Sequence, residues 1–240
     1  MHTAAYASLD LPFRYVAIHV RTGDVSKALD HLSTLGYLGI NVTVPHKEEV
    51  LGWAKNVEPL AAKVRAANTL RLADKSCINT DAPGFLDTLS EFNPKSKSAL
   101  VLGAGGTARA IAIALLGDGY ELRLYNRTFE KAESLAAELG IPKSSVTKTA
   151  DPSGSWLLAN TTSASLNNDE LPILWEKAEP NSLAYDLMYS KSSTPFLKAA
   201  SNHGLSTIDG LKMLVAQGAR SFEWWLGMSA PRSIMLEAIA

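Results

Sequence analysis

The chain has 240 residues, with 23 Lys or Arg against 24 Asp or Glu, so its formal net charge is -1. This length favours two modest domains, and the balanced charge lacks the basic run of a nucleic-acid-binding protein. One cysteine, Cys77, excludes an internal disulfide and a cysteine-based metal cluster. No apolar run approaches the ~20 residues of a membrane span, and the start lacks a secretory pattern. We therefore expect a soluble, cytoplasmic protein without bound metal, nucleic acid or membrane.

The first part of the chain predicts alternating helices and strands. Small residues from Ala4 to Leu9 favour a helix almost at the first residue, and alternating apolar positions predict a strand over Phe13 to Val20. Helical spacing from Val25 to Leu35 predicts a second helix, and Gly39 to Thr43 reads as the next strand. A strand, helix and strand in this order predict a βαβ unit with parallel strands.

The run Asn41-Val42-Thr43-Val44-Pro45-His46-Lys47 begins as a buried strand and then turns. Pro45 has no backbone donor and ends the ladder, while its fixed φ suits the first turn of a helix, so we predict a helix starting near it. That start places Lys47 where the positive end of the helix dipole mildly opposes a cation. A solvated lysine and a functional lysine both fit this stretch taken alone.

A loosely helical stretch from Val50 to Val64 leads to two short strands, Asn68 to Leu72 and Cys77 to Thr80, which flank a polar turn. This pattern predicts a β-hairpin. Asp81 follows the second strand directly. An acidic residue between a strand and a helix is usually a helix cap, and for Asp81 alone capping is the favoured interpretation.

The polar segment 93–98 separates two apolar regions and predicts a domain boundary. The apolar strand Ala99 to Leu102 comes next, and a glycine-rich turn joins it to the helical run Arg109 to Leu116. Gly103, Gly105 and Ala108 follow the G-x-G-x-x-A pattern between a strand and a helix, as a dinucleotide site requires. A tight turn without a ligand is the alternative.

The end of the next strand, Glu121 to Tyr125, indicates which dinucleotide is bound. An NAD site would place Asp or Glu there to bind the ribose hydroxyls, but the chain continues Asn126-Arg127-Thr128, with Lys131 one turn later. Two cations and a hydroxyl suit a ribose 2′-phosphate, so the pattern predicts NADP(H). A solvated helix start is the alternative.

The remaining chain continues the α/β alternation. We predict a helix through Phe129 to Leu139 and one over Thr194 to Ala200, with three strands and the helices that follow Leu211. The three strands are Trp156 to Ala159, Leu183 to Leu187 and Leu205 to Ile208. We predict a substrate-binding domain over 1–94 plus 211–240 and an NADP-binding Rossmann domain over 95–210.

Six motifs, taken together in their order and spacing, resemble the shikimate dehydrogenase family nearly from end to end. They are Asn41 to Lys47, Asn68-Thr69-Leu70, Asn79-Thr80-Asp81 with Gly84-Phe85, Gly103 to Ala108, Asn126-Arg127-Thr128, and Asp209-Gly210 to Gln217. The resemblance implies an N-terminal α/β substrate domain and a Rossmann-like, doubly wound NADP-binding domain, with the active site in the cleft between them. It also implies reversible reduction of 3-dehydroshikimate to shikimate with NADPH.

The resemblance assigns roles to individual residues. Lys47 and Asp81 would be the catalytic pair; Asp81 would bind a substrate hydroxyl and Lys47, and direct proton transfer stays open. The substrate contacts would be Thr43, Asn68, Tyr189 and Gln217. The NADP contacts would be Gly103, Ala104, Gly105, Gly106, Thr107, Asn126, Arg127, Thr128, Lys131, Leu187 and Gly210.

Two departures from the family qualify this interpretation. Family members begin with a strand and a Ser-x-Ser-Pro segment that binds the substrate carboxylate, and the sequence printed here starts after that point, so we expect the natural polypeptide to be longer. An uncovered strand edge would invite association, which makes a homodimer an expected state. Ala164-Ser165 and Ser190 also differ from the usual pattern near the nicotinamide. Quinate as an additional substrate and a non-catalytic NADP sensor are the alternative functions.

Overall fold

The structure is a computed structural model that describes residues 1–167, 169–189 and 193–239. The chain forms two compact units, which we describe separately. Unit 1 comprises Met1–Asp87 and the chain from Leu214 onward, and unit 2 comprises Thr88–Met213.

The described residues form helices and strands that alternate along most of the chain. The helices are α1 (His2–Ser8), α2 (Val25–Thr34), α3 (Pro59–Val64), α4 (Asp81–Leu89), α5 (Gly106–Gly117), α6 (Phe129–Leu139), α7 (Pro195–Asn202), α8 (Gly210–Leu226) and α9 (Arg232–Glu237). Short 3-10 helices cover Glu49–Gly52, Lys143–Ser145, Ala164–Asn167 and Trp175–Lys177. The strands are β1 (Gly39–Asn41), β2 (Asn56–Val57), β3 (Thr69–Arg71), β4 (Ser76–Ile78), β5 (Ser98–Leu102), β6 (Glu121–Tyr125), β7 (Val146–Thr147), β8 (Leu157–Asn160), β9 (Leu183–Asp186) and β10 (Ser206–Ile208).

Unit 1 contains a four-stranded sheet in the order β1-β3-β4-β2. The predicted hairpin is confirmed, because β3 and β4 pair antiparallel with Leu70 opposite Cys77. Two hydrophobic clusters of the described residues stabilise the unit. One packs α2 against the sheet through side chains such as Leu29 and Leu70. The other joins α1, α8 and α9 around Tyr6, Phe222 and Met235.

Two predictions for the start of unit 1 are wrong. Residues 12–20 form no strand, and β1 pairs antiparallel with β3, so the expected parallel βαβ unit is absent from this described part of the chain. The physical reason is a missing partner: this segment and β1 both line a cavity of about 140 Å³, with Tyr15 and Val20 among its walls. Alternating apolar residues make a strand only where a neighbouring strand accepts its hydrogen bonds.

The predicted helix at Pro45 is also wrong. The chain makes a turn at 44–48, and only the 3-10 helix Glu49–Gly52 follows. The carbonyl of Lys47 accepts a hydrogen bond from the backbone N–H of Ala67 at 2.8 Å. Because this tertiary bond takes an acceptor that a helix would use for its own ladder, Lys47 lies in a turn rather than in a first helical turn.

Unit 2 contains a six-stranded sheet in the order β10-β9-β8-β5-β6-β7, with every pair parallel. The mixed α/β class predicted from the sequence, with its parallel sheet, is confirmed. Strand β5 lies centrally, with β6 on one side and β8 on the other, so the strand order reverses there. Leu100, Leu102 and Leu158 are fully buried in its core. In neither unit do the described residues include a helix long and apolar enough to span a membrane.

Candidate active site and cofactor site

Lys47 and Asp81 form an ion pair in unit 1. The Lys47 Nζ lies 2.9 Å from Asp81 Oδ2, and the two side chains are 29% and 17% exposed. Lys47 is held by the turn after β1, while Asp81 is the first residue of α4, where a carboxylate interacts favourably with the helix dipole. A cation with access to solvent and a fixed carboxylate partner can exchange a proton with a bound ligand.

The side chain of Asn68 fixes the other oxygen of Asp81. The backbone N–H of Thr80 donates to Asn68 Oδ1 at 2.8 Å, which requires the amide nitrogen to point the opposite way. Asn68 Nδ2 then donates to Asp81 Oδ1 at 3.0 Å and to Gln217 Oε1 at 3.1 Å. Asn68 is 2% exposed, so this amide bridges two predicted site residues from a buried position.

Gln217 reaches this cluster because α4 and α8 approach closely. A Cβ atom at Gly84 would lie 2.8 Å from the backbone nitrogen of Gln217, so only glycine permits the contact without a backbone shift. Gln217 Nε2 donates to the carbonyl of Leu214 at 2.7 Å. That bond sets the orientation of the carboxamide and directs its oxygen to Asn68.

Four of the predicted catalytic and substrate-binding residues lie together in unit 1. Lys47, Asp81, Asn68 and Gln217 share one hydrogen-bonded cluster. Thr43 is exposed beside the turn, and among the described residues its side chain has no hydrogen bond to the cluster. Tyr189 is 49% exposed and belongs to unit 2. Ser190 lies outside the described residues.

A layer of hydroxyl groups behind Asn68 was missed from the sequence. Thr80 Oγ1 accepts from Asn68 Nδ2 at 2.9 Å, and Thr69 Oγ1 lies 2.7 Å from Ser221 Oγ. Asn41 Nδ2 also donates to Ser221 at 2.9 Å. The available signal is the polar triplet Asn79-Thr80-Asp81, in which only Asp81 is predicted to be functional. Ser221 gives no local signal, because its side-chain partners Asn41 and Thr69 are distant in sequence.

In unit 2 the glycine-rich turn lies between β5 and α5. Gly103 has φ +115°, and a Cβ atom there would lie 2.4 Å from Thr161 Oγ1, so this position requires glycine. Gly105 is the N-cap of α5, offers no side-chain acceptor to the first-turn N–H groups and has open space beside it. Helix N-terminal amides without a side-chain cap, beside an N-cap residue that carries no side chain, fit a phosphate group. Gly106 and Thr107 are exposed at the same turn, and Ala104 is half-buried.

The residues that are predicted to bind the ribose 2′-phosphate lie at the end of β6. Asn126 Nδ2 donates to the carbonyl of Thr128 at 2.7 Å and shapes the turn that starts α6. Arg127 and Lys131 are exposed, and in the described part of the chain neither forms an ion pair. Two cations that face solvent near a helix N-terminus are available to bind an anion.

Leu187 and Gly210 are in contact on the side of β5 that is opposite to β6. A Cβ atom at Gly210 would lie 2.2 Å from the carbonyl oxygen of Leu187, and the Gly210 N–H donates to the carbonyl of Met188 at 3.1 Å. These contacts hold the loop after β9 against the start of α8. Unit 2 therefore has the architecture of a dinucleotide-binding α/β enzyme, whose ligand lies at the carboxyl ends of the strands where their order reverses.

The comparisons with known proteins agree with this class. Residues 1–70 match the shikimate dehydrogenase substrate binding domain, residues 88–153 the shikimate / quinate 5-dehydrogenase model, and residues 210–240 the shikimate 5′-dehydrogenase C-terminal domain. Shikimate dehydrogenase (NADP(+)) of Moorella thermoacetica is 40% identical, over 98% of this chain and 85% of that protein. The chain belongs to the shikimate dehydrogenase family.

Two solved structures are similar over almost the whole chain. Shikimate 5-dehydrogenase from Thermus thermophilus, in complex with NADP(H) and shikimate, has a TM-score of 0.90 and 35% identity, covering 99% of this chain and 91% of that one. The ligand-free 5-ketofructose reductase of Gluconobacter sp. strain CHM43 has a TM-score of 0.87 and 31% identity, covering 99% and 92%.

Proposed function

We propose that this chain catalyses the reversible reduction of 3-dehydroshikimate to shikimate with NADPH. The ion pair between Lys47 Nζ and Asp81 Oδ2 at 2.9 Å carries this proposal. It supplies a proton donor together with a fixed anionic neighbour that can also accept from a substrate hydroxyl. Family membership and the 40% identity to an NADP-dependent shikimate dehydrogenase support the same reaction.

NADP(H) fits the residues at the glycine-rich turn and at the end of β6. The amides of Gly105, Gly106 and Thr107 would hold the pyrophosphate, and Arg127 with Thr128 and Lys131 would hold the 2′-phosphate. Gly103, Ala104, Asn126, Leu187 and Gly210 complete the proposed contact set. When bound, the dinucleotide supplies the hydride in one direction and accepts it in the other.

Lys47 acts at the ketone oxygen of the substrate. Negative charge develops on that oxygen as the carbonyl carbon is reduced, and the Lys47 ammonium stabilises the charge and donates the proton. In the oxidative direction the neutral amine of Lys47 takes the hydroxyl proton. Asp81 Oδ2 holds the amine in place through their hydrogen bond at 2.9 Å. Direct proton transfer between Asp81 and the substrate is the alternative role for this carboxylate.

Four further side chains are proposed to bind the substrate hydroxyl and carboxylate groups. Asn68 and Gln217 already share a hydrogen bond at 3.1 Å and present polar groups beside Asp81. Thr43 follows β1 on the same turn that carries Lys47, and Tyr189 follows β9 in unit 2. The proposed domains are 1–94 plus 211–240 for substrate and 95–210 for NADP(H).

A substrate panel tests the proposal. NADP+ reduction is followed with shikimate, with quinate and with neither, and NADPH oxidation is followed with 5-ketofructose. Activity with shikimate well above the others supports the proposal, and equal activity with quinate supports the broader dehydrogenase that the shikimate / quinate model names. Turnover of 5-ketofructose alone would assign the chain to the reductase that it resembles at 31% identity. Cofactor binding without any turnover would favour the sensor.

A cytoplasmic location and a homodimer are also part of the proposal. The single cysteine, Cys77, fits a reducing compartment. Strand β1 is an outer strand of its sheet, and an open edge can pair with a second copy. Light scattering behind size-exclusion chromatography measures the state, and a monomer mass at all concentrations would contradict the dimer.

A further inference from the structure

Asp186 is a buried carboxylate that the proposed reaction does not use. It is the last residue of β9, a strand otherwise composed of Leu183, Ala184 and Tyr185, and it is 0% exposed. Burial raises the pKa of Asp186, opposed by hydrogen bonds from four neighbours. A carboxylate is placed in such a position at a cost in free energy, unless its oxygens are fully hydrogen-bonded.

Both oxygens of Asp186 accept from two donors each. Oδ1 accepts from Asn160 Nδ2 and from the backbone N–H of Met188, both at 3.1 Å. Oδ2 accepts from Thr194 Oγ1 at 2.7 Å and from the hydroxyl of Ser165. The four donors lie at the end of β8, in the loop after it, in the loop after β9 and at the N-cap of α7.

One branch of this cluster reaches the glycine-rich turn. Asn160 Oδ1 accepts from both the backbone N–H and the hydroxyl of Thr162, at 3.0 and 2.7 Å. The neighbouring Thr161 packs against Gly103, at the position where a Cβ atom would clash at 2.4 Å. The carboxylate is therefore connected, through Asn160, to the loop that covers the first glycine of the turn.

The other branch reaches the contact between Leu187 and Gly210. Asp186 holds the N–H of Met188, and the carbonyl of the same residue accepts from Gly210 N–H at 3.1 Å. Met188 is thus held through both its backbone N–H and its carbonyl. Strands β8 and β9 lie on the side of β5 opposite to β6, and β6 carries Arg127 at its end. A dinucleotide that spans the reversal point with its 2′-phosphate over β6 places its nicotinamide half over β8 and β9.

We propose that Asp186 is a positioning residue for the nicotinamide half of NADP(H), acting through residues 160–165 after β8 and residues 187–189 after β9. This inference rests on the proposed function, because it uses the NADP site described above. In the described part of the chain, Asp186 has no hydrogen bond to the glycine-rich turn or to Gly210; it is hydrogen-bonded to the residues that connect it to both. The adenosine half, bound over β6, does not depend on it.

Asp186→Asn removes one acceptor while keeping the shape of the side chain. Asn160 Nδ2 and Met188 N–H can only donate, so the new carbonyl oxygen must face them and the new NH₂ must face Thr194 and Ser165. Thr194 Oγ1 already accepts from Leu197 N–H at 3.3 Å, and Ser165 Oγ accepts from Asn160 Nδ2 at 3.2 Å. The hydroxyl protons of Thr194 and Ser165 therefore lose the oxygen that accepted them, and the segments after β8 and β9 lose a shared hydrogen-bond partner.

The test compares two ligands by isothermal titration calorimetry on the full chain. NADP+ reports on the whole site, and adenosine 2′,5′-bisphosphate reports on the adenosine half alone. For Asp186→Asn we expect the Kd of NADP+ to rise about tenfold, with the Kd of the bisphosphate unchanged. Asp151→Asn is the matched control: Asp151 accepts from Ser153 and Lys177 at the amino end of β8, so it should change neither Kd.

Ser165→Ala is a milder variant, which removes one donor to Asp186 and should raise the Kd of NADP+ severalfold. Equal weakening of both ligands would show a general loss of structure and overturn the proposal. An unchanged Kd of NADP+ in both variants would do the same. Failure of the unsubstituted chain to bind either ligand would instead overturn the NADP site, and with it the proposed function.

Discussion

At the scale of single residues, the orientation of one carboxamide connects the catalytic pair to its surroundings. Because Thr80 N–H must donate to Asn68 Oδ1, Asn68 Nδ2 is directed to Asp81 and Gln217. Asp81 then has one oxygen for Asn68 and the other for Lys47. The backbone of the hairpin thus determines where the lysine amine lies.

Replacement of Lys47 by alanine should lower kcat at least about a hundredfold with little change in the KM of shikimate, because positioned proton transfer contributes roughly 10²–10⁴. Steady-state kinetics in the oxidative direction measures both parameters. Lys63→Ala, at an exposed lysine in the last turn of α3, is the control and should behave as the unsubstituted chain. A variant that keeps its kcat while KM rises would show that Lys47 only binds substrate.

Arg127→Asp should shift cofactor preference from NADP toward NAD. A charge-assisted hydrogen bond contributes about 1.5–3 kcal/mol, so its loss alone predicts roughly tenfold to hundredfold weaker binding of NADP(H). The ratio of kcat/KM for the two cofactors is the measurement. Lys198→Glu makes a comparable change of charge at an exposed site on α7 and should leave that ratio alone. An unchanged ratio in Arg127→Asp would remove Arg127 from the 2′-phosphate site.

At the scale of elements, the approach of α4 to α8 depends on Gly84. In Gly84→Ala the new methyl group would lie 2.8 Å from Gln217 N and 3.0 Å from its Cα, both backbone atoms that cannot rotate away. We expect a loss of about 1–3 kcal/mol in the free energy of unfolding, together with a higher KM for shikimate. Urea unfolding and kinetics measure the two effects.

Gly52→Ala is the matched control for this prediction, since a Cβ atom there has no neighbour within 4 Å. It should leave the free energy of unfolding unchanged or raise it slightly, because alanine restricts the unfolded chain more than glycine does. Equal effects of the two substitutions would mean that α8 moves freely to accommodate Gly84→Ala.

The sequence predicted the sheet of unit 2 far better than that of unit 1. Strands such as β5 and β8 are buried on both faces, so they read as continuous apolar runs with turn signals at each end. Phe13 to Val20 has a comparable local signal, but its pairing depends on a neighbour that local pattern does not encode. The two-residue strands β2 and β7 were missed because two residues carry no period.

The site could be predicted where its functional residues lie within one short stretch of sequence. Lys47, Asp81 and the glycine-rich turn each follow a strand, and loops after strands face the ligand. Ser221 and Thr69 could not be paired from the sequence, because they meet only after α8 packs on the sheet. Asp186 had one local signal, a single charge at the end of an apolar strand.

At the scale of the whole molecule, burial of His2 makes stability depend on pH. Burial lowers the pKa of His2 from 6.5 to about 4. Between these values the unfolded chain binds more protons than the folded chain, so the free energy of unfolding falls as pH falls from 6.5 to 4. The full loss from this group is about 3 kcal/mol.

His2→Leu should reduce the slope of the free energy of unfolding against pH, by the equivalent of about one bound proton, between pH 4 and 6.5. Urea unfolding at several pH values gives the slope. His19→Gln replaces an exposed histidine and is the control, whose slope should match that of the unsubstituted chain. If His2→Leu keeps the original slope, other groups must bind the protons.

The irregular segment beside the cavity of unit 1 should exchange its amide protons rapidly. From Phe13 to Val20 no backbone N–H donates to a backbone acceptor in the described part of the chain. Amide protons of this segment should therefore exchange with deuterated water at nearly the rate of a free peptide. Those of β5 and β8 should exchange only when a much larger part of the structure unfolds. Limited trypsin digestion should cut first after Arg14 and Arg21, which are exposed at either end of the segment.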